Sequence, residues 1–175
     1  MWLGIAALVP DDVHNFMRSV AVELYERWGA QASATVLEPH VTIKQPYEGD
    51  LEVAAEYLDE LAARVEPFEL VLDGYAEFEN EGVVFLDVVG GAHRIMALQR
   101  QVLDELGLAP APFESGEPEP YHVHATLAVG LATPQRQAAI AALPKPPTFR
   151  FTVERLGLFA RVEAGWLVYR RAGLG

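Results

Sequence analysis

The stretch Tyr121–Gly130, YHVHATLAVG, decides how this chain is read. Val123, Ala125, Leu127 and Val129 alternate with His122, His124, Thr126 and Ala128, the two-residue period of a strand with one buried face. On a strand, His124 and Thr126 project from the same surface. On a helix, residues two apart point to different sides and share no site. The same arrangement occurs 84 residues earlier, in PHVTIK, where His40, Thr42 and Lys44 face one way and Val41 and Ile43 the other. Two strands that each offer His-x-Thr can set two imidazoles and two hydroxyls around one pocket. The rest of the chain reads as scaffold for it.

Outward from these strands, the elements alternate. Residues 2–9 read as a buried strand, and Pro10-Asp11-Asp12 opens a helix with acidic groups at its positive end. Val13, Phe16, Met17, Val20, Leu24 and Trp28 keep helical spacing to about Gly29. The first His-x-Thr strand lies near 35–45 and ends at Pro46-Tyr47. A second helix spans 51–65, with Leu51, Ala54, Leu58, Leu61 and Val65 on one face. Strands at 68–79 and 82–89 flank a turn at Asn80-Glu81 and form an antiparallel pair. Gly90-Gly91 leads into a third helix, carrying Ile95, Leu98, Val102 and Leu106, that stops near Gly107. APAPFESGEPEP cannot be regular structure, and it delivers the chain to the second His-x-Thr strand. A short fourth helix follows from Thr133-Pro134 to Leu143. Two final strands, 149–162 and GWLVYRR, turn near Glu163-Ala164-Gly165.

An offset of 84 lays His40 on His124, Thr42 on Thr126, helix 51–65 on the region 134–143 and strand 68–79 on 152–163. The order strand, helix, His-x-Thr strand, helix, strand, strand occurs twice. The expected fold is therefore α+β: one domain over 1–175, duplicated as repeats near 1–80 and 81–175. Antiparallel sheets are expected around a central cleft with pseudo-two-fold symmetry, and helices outside.

Composition narrows the function. Apolar residues make up 51% and charged ones 22%, as in ordinary globular domains. No run approaches the ~20 apolar residues of a membrane helix. MWLGIAALVP is short, has no basic flank and reads as a strand rather than a secretory signal, so a cytoplasmic location is expected. With no cysteine, disulfides, thiolate-bound zinc and a thiol nucleophile are excluded. The net charge of −12 is the wrong sign for clamping long nucleic acid by its phosphates. The charge is uneven: residues 134–175 hold seven basic side chains against two acidic, and the first 133 hold six against twenty-three. That C-terminal excess is either a local basic wall for a small anion or scatter over solvated strands.

Histidine, with an ordinary pKa of about 6.5, gives or takes a proton near neutrality. Two opposed imidazoles suit phosphodiester cleavage. One, neutral, deprotonates water, and the other, protonated, donates to the leaving oxygen. Thr42 and Thr126 can hydrogen-bond non-bridging phosphoryl oxygens, although threonine is also simply a good strand former. Lys44 shares the motif face and can reach a phosphate, or is an ordinary edge lysine. Tyr47, Phe113 and Tyr121 flank the motifs and offer rings for base stacking or for packing. His122 either lines the site or orients His124. A different arrangement of the same residues, His40, His122 and His124 with Glu38, would bind a metal. That alternative leaves the threonines and the duplication without a role.

The pair His40-Val41-Thr42-Ile43 and His124-Ala125-Thr126-Leu127, one per half, resembles the two-histidine phosphoesterase superfamily, in particular its RNA-ligase-like, cyclic-phosphodiesterase branch. The closing run LGLFARVEAGWLVYRR also looks like that family's last hairpin. His122 and Arg161 depart from the pattern, Arg161 standing where a small polar residue is expected. The resemblance implies hydrolysis of a 2′,3′-cyclic phosphate, on a nucleotide or a short RNA 3′ end, without metal or cofactor. A monomer is expected. It assigns His124 as base and His40 as acid, an order that the residues themselves leave open. A cyclic phosphate needs a ribose 2′-OH, so RNA rather than DNA is the expected partner. A 2′,5′-phosphodiester ligase or hydrolase, and a domain that binds cyclic phosphates without turnover, remain as alternatives.

Overall fold

The computed structural model describes residues 1–31, 37–78, 82–111 and 121–175. Eight strands and four helices follow in the order β1 (Trp2–Leu8), α1 (Asp11–Trp28), β2 (His40–Glu48), α2 (Leu51–Arg64), β3 (Phe68–Phe78), β4 (Val83–Gly90), α3 (Ala92–Leu106), β5 (His124–Ala128), α4 (Thr133–Ala142), β6 (Phe149–Val153), β7 (Arg155–Val162) and β8 (Gly165–Gly173). They build two four-stranded antiparallel sheets, ordered β2-β1-β7-β8 and β5-β4-β3-β6. This is the α+β architecture with two sheets that the strand and helix periods predict. The turn expected at Asn80-Glu81 lies outside the described residues, as does Phe113.

Local signals set the helix ends. Asp50 caps α2, its carboxylate accepting from the backbone amides of Glu52 and Val53 at 3.0 and 3.1 Å. Gly29 ends α1 in the left-handed region (φ 67°), a conformation that costs a side-chain-bearing residue about 1–2 kcal/mol. The helices then bury their apolar stripes. On α2, Leu58 and Leu61 are fully buried, each contributing about 2 kcal/mol.

Each sheet mixes the two halves of the sequence. β1 pairs with β2 on one side and with β7 on the other, whereas β3 pairs with β4 and β6. The helices cross over too: α1 packs on β5, and α3 on β2. One apolar core runs through both sheets and all four helices. The two motif strands are the outer strands of their sheets and touch each other. That contact sets one His-x-Thr beside the other.

Two local expectations need correction. The segment 149–162 is not one strand: it breaks at Glu154, so β6 joins the second sheet and β7 the first. Phe149, Phe151 and Val153 alternate with polar residues, as befits the edge of a sheet. Leu156–Ala160 is a continuous buried run, as befits an inner strand between β1 and β8. The first motif strand also continues through Pro46 to Glu48. An edge strand tolerates proline, because its outward amide needs no partner.

Candidate active site

β2 and β5 each turn alternate residues toward a cleft. Val41 and Ile43 are fully buried, while His40 and Thr42 between them are half-buried; Ala125 and Leu127 are buried around half-buried His124 and Thr126. The resulting cavity, about 200 Å³, is lined by His40, Thr42, Lys44, His124 and Thr126 from the motif strands. It is closed by Leu37, Phe159 and Trp166 among others. This wall belongs to a small apolar cluster of Ala6, Leu8 and Phe159 with Leu37, Trp166 and Val168, separate from the main core.

The two histidines are held by the same device. Nδ1–H of His40 donates to the carbonyl of Glu38, and Nδ1–H of His124 to the carbonyl of His122, each at 2.7 Å. A carbonyl only accepts, so each Nδ1 carries a proton, and Nε2 is left as the nitrogen that exchanges one. Nε2 of His40 lies 3.1 Å from the hydroxyl of Thr42. The His40 ring packs on Phe159 at 4.8 Å between centroids, and the His124 ring sits 4.9 Å from both Phe78 and Phe85.

Burial lowers both pKa values, because a desolvated imidazolium is disfavoured. For His124 burial dominates, helped by the charges of His122 and His40 and opposed by the His122 carbonyl and Asp87. The outcome is a pKa of about 4. His40 is also lowered by burial, against the opposing pull of the Glu38 carbonyl and carboxylate. Both shifts favour neutral rings at pH 7 in the free protein.

The remaining candidate residues fall in different places. Lys44 is buried to 2% exposure yet lines the cavity, donating to the Gln45 carbonyl at 3.1 Å. Tyr47 is buried in the core and does not line the cavity. Tyr121 is buried there too, and its hydroxyl donates to the Thr42 carbonyl at 3.1 Å, tying the second motif to the first. His122 is exposed, with Nε2 on Asp87 at 2.8 Å, and it serves His124 through its carbonyl. The groups of the metal alternative face different partners: His122 meets Asp87, and the Glu38 carboxylate meets Arg171. Among the described residues no group of three histidines or carboxylates converges on one point. The residues missed from the sequence are Phe159 and Trp166, whose only signal was an apolar run and a hairpin far from either motif.

The basic wall dissolves in the structure. Arg136, Arg150, Arg170 and Arg171 pair with Glu77, Glu69, Asp59 and Glu38, so the acidic first half neutralises most of the C-terminal excess.

The family model of the 2′-5′ RNA ligase superfamily matches residues 9–165, and both His-x-Thr strands fall within it. The chain belongs to the 2′-5′ RNA ligase superfamily. Among solved structures, it is similar to E. coli LigT complexed with 3′-AMP, with 19% identity and a TM-score of 0.67, covering 98% of this chain and 97% of that one. It is also similar to TT0787 of Thermus thermophilus, with 21% identity and a TM-score of 0.62, covering 99% and 98%. At these identities the likeness concerns the fold. No curated protein sequence matches the chain. Like other members of this superfamily in architecture, the chain carries its motifs on facing strands. No described helix is long and apolar enough to cross a membrane.

Proposed function

We propose that this superfamily member is a metal-independent phosphodiesterase that opens 2′,3′-cyclic phosphates on nucleotides or RNA 3′ ends to 2′-phosphates. The observation that carries the reading is the pair of main-chain anchors. Both rings are fixed with Nδ1–H on a carbonyl, leaving two Nε2 atoms in a cleft that also holds Thr42, Thr126 and Lys44. The cleft accepts a nucleotide-sized ligand by analogy with LigT, which was solved with 3′-AMP.

In this reading, Nε2 of neutral His124 takes a proton from water as the oxygen attacks phosphorus. The bond from phosphorus to O3′ breaks, and Nε2–H of His40 delivers a proton to O3′, leaving the phosphate on O2′. Each transfer is worth about 10²–10⁴-fold. The environments favour this order. Burial lowers both; His124, to about 4, is lowered further by His122 and His40 against Asp87, whereas at His40 the Glu38 carboxylate opposes the lowering. An arriving phosphodiester anion adds to that opposition, so His40 gains its proton as the substrate binds. Thr42 and Thr126 hydrogen-bond the non-bridging oxygens, and Lys44 supplies positive charge to them. A 2′,5′-phosphodiester ligase or hydrolase would use the same pair in the same cleft. Membership of the 2′-5′ RNA ligase superfamily favours this second reading.

The test is hydrolysis of 2′,3′-cyclic AMP in excess EDTA, with identification of the product isomer. Turnover to the 2′-phosphate that falls by at least about 10²-fold in both His40→Ala and His124→Ala is the expected result. Activity that vanishes in EDTA overturns the metal-free mechanism. Activity that survives both substitutions overturns the acid–base pair.

A further inference from the structure

Of the C-terminal basic residues without an ion pair among the described residues, Lys145, Arg155 and Arg161, Arg161 is the one placed in the sheet beside residues that line the cleft. It is exposed and, among the described residues, makes no ion pair or hydrogen bond, in a chain of net charge −12 where four other C-terminal arginines are paired. Its place in the sheet is informative. Arg161 lies directly opposite Trp166 in the β7–β8 ladder, and opposed residues share a face. Trp166 lines the cleft, as does Phe159, two residues before Arg161 on the same face of β7. On the other side of β7, Leu3 pairs with Ala160, so the next step along both strands brings Trp2 beside Arg161. Trp2 is 46% exposed, and Gly4 and Ala6, which share its face of β1, line the cavity. The cleft floor therefore continues along β1 and β7, beyond the catalytic strands, to a row of Trp2, Arg161 and Trp166. Ala6 lies opposite Thr42, and Trp2 is four residues further on, about 13 Å along the strand.

We propose that this row is a second nucleotide subsite, which takes the penultimate nucleotide of a single-stranded RNA end. Arg161 holds the phosphodiester that joins the last two nucleotides, the terminal base rests on the wall of Phe159 and Trp166, and the penultimate base stacks on Trp2. The inference rests on the proposed cyclic-phosphate reaction and names its substrate class as an oligonucleotide end rather than a free mononucleotide. The chemistry is that of single-strand grooves: flat aromatic faces for bases, and a planar guanidinium with paired donors for phosphate. Glu48, opposite Trp2 on β2, bars a phosphate from the other side of that ring. The strand is thereby confined to the β7–β8 side. A single arginine among acidic neighbours suits one internucleotide phosphate and rejects a long polyanion.

The experiment compares kcat/KM for adenosine 2′,3′-cyclic phosphate with that for the dinucleotide ApA ending in a 2′,3′-cyclic phosphate. It is run on the wild type, Arg161→Gln, Arg161→Lys and Trp2→Ala, and includes a dinucleotide whose internal linkage is an uncharged methylphosphonate. The wild type is expected to prefer the dinucleotide by about tenfold or more, the scale of one stacked base plus one charge-assisted contact. Arg161→Gln and the methylphosphonate each remove most of that preference. Arg161→Lys keeps part of it, and Trp2→Ala lowers it. For the dinucleotide, the salt slope of log(kcat/KM) is expected to be about 0.7 shallower in Arg161→Gln, as for one lost phosphate contact on a single strand. Equal wild-type efficiency on both substrates, or a preference that neither Arg161→Gln nor the neutral linkage changes, overturns the subsite while leaving the reaction intact. Absence of turnover on both substrates overturns the reaction reading instead.

Discussion

Removing the His124 titration should flatten part of the protein's acid sensitivity, and the size of the effect follows from the burial of that ring. In the unfolded chain His124 has a pKa of about 6.5; in the fold it is lowered to about 4. Between those values the unfolded chain binds a proton that the native state refuses, so stability rises with pH and is lost as pH falls from about 6.5 towards 4. Each pKa unit is worth about 1.4 kcal/mol, giving an upper bound of about 3 kcal/mol, and about 2 after allowing for the ring's remaining contact with solvent. The substitution His124→Asn suits the test, since the asparagine amide can occupy the Nδ1 position and keep the donor to the His122 carbonyl. Urea unfolding of both proteins, followed by tryptophan fluorescence between about pH 7 and pH 4.5, is the assay. The carboxylates and His40 contribute to both curves, so the difference isolates His124. The gap in unfolding free energy should move in the variant's favour by about 2 kcal/mol across that range. Parallel curves would show that His124 titrates normally in the fold. Its assignment as a base held neutral by burial would then fail.

Two further outcomes test the scaffold around the cleft. Tyr121→Phe removes the hydroxyl that ties the second motif to the Thr42 carbonyl, and should cost about 1 kcal/mol with a lowered kcat and an unchanged KM; a rise in KM would instead mean that the ring touches the ligand. Arg136, 1% exposed, is paired with Glu77 and donates to the Leu131 carbonyl at 3.0 Å. Arg136→Ala should therefore cost about 3–5 kcal/mol in urea unfolding, and the pair Arg136→Met with Glu77→Leu should recover most of it; equal losses in both would refute a buried charge left unpaired as the cause.

The elements and the reacting pair were legible because alternation and helical spacing are local. The same parity also contained an answer that ring chemistry obscured. Tyr47 shares its face with Val41 and Ile43, and Tyr121 with Val123 and Ala125, which sends both rings to the core. Features that depend on tertiary pairing were not legible. Asp59 neutralises Arg170 across 111 residues of chain, and Glu38 neutralises Arg171 across 133, so a charge count by segment left open a basic wall that the fold largely cancels. The break at Glu154 was hidden for a related reason. FRFTV alternates and LGLFA does not, but only the pairing of β6 with β3 and of β7 with β1 shows that the two patterns belong to different sheets. Phe159 and Trp166 reach the cleft because that second pairing carries β7 and β8 under the first motif.

In the proposed mechanism, a duplicated frame with unequal surroundings lets a symmetric motif perform an asymmetric reaction. In both halves a histidine opens a strand and bonds the carbonyl two residues before it at 2.7 Å, so backbone geometry alone fixes which nitrogen faces the cleft. Nothing in that device separates donor from acceptor. The separation comes from the residue that supplies the carbonyl. At Glu38 it is a carboxylate, which opposes the lowering of the His40 pKa by burial; at position 122 it is a second imidazole, which adds to the lowering of His124 by burial. The hydroxyl of Thr42 lies 3.1 Å from the nitrogen assigned as acid. His122 is thus accounted for without entering the cleft. Its carbonyl orients His124, its ring adds to the lowering of the His124 pKa, and its Nε2 is held by Asp87. In the proposed mechanism, two residues beside the motifs, rather than within them, bias two matched histidines towards different roles.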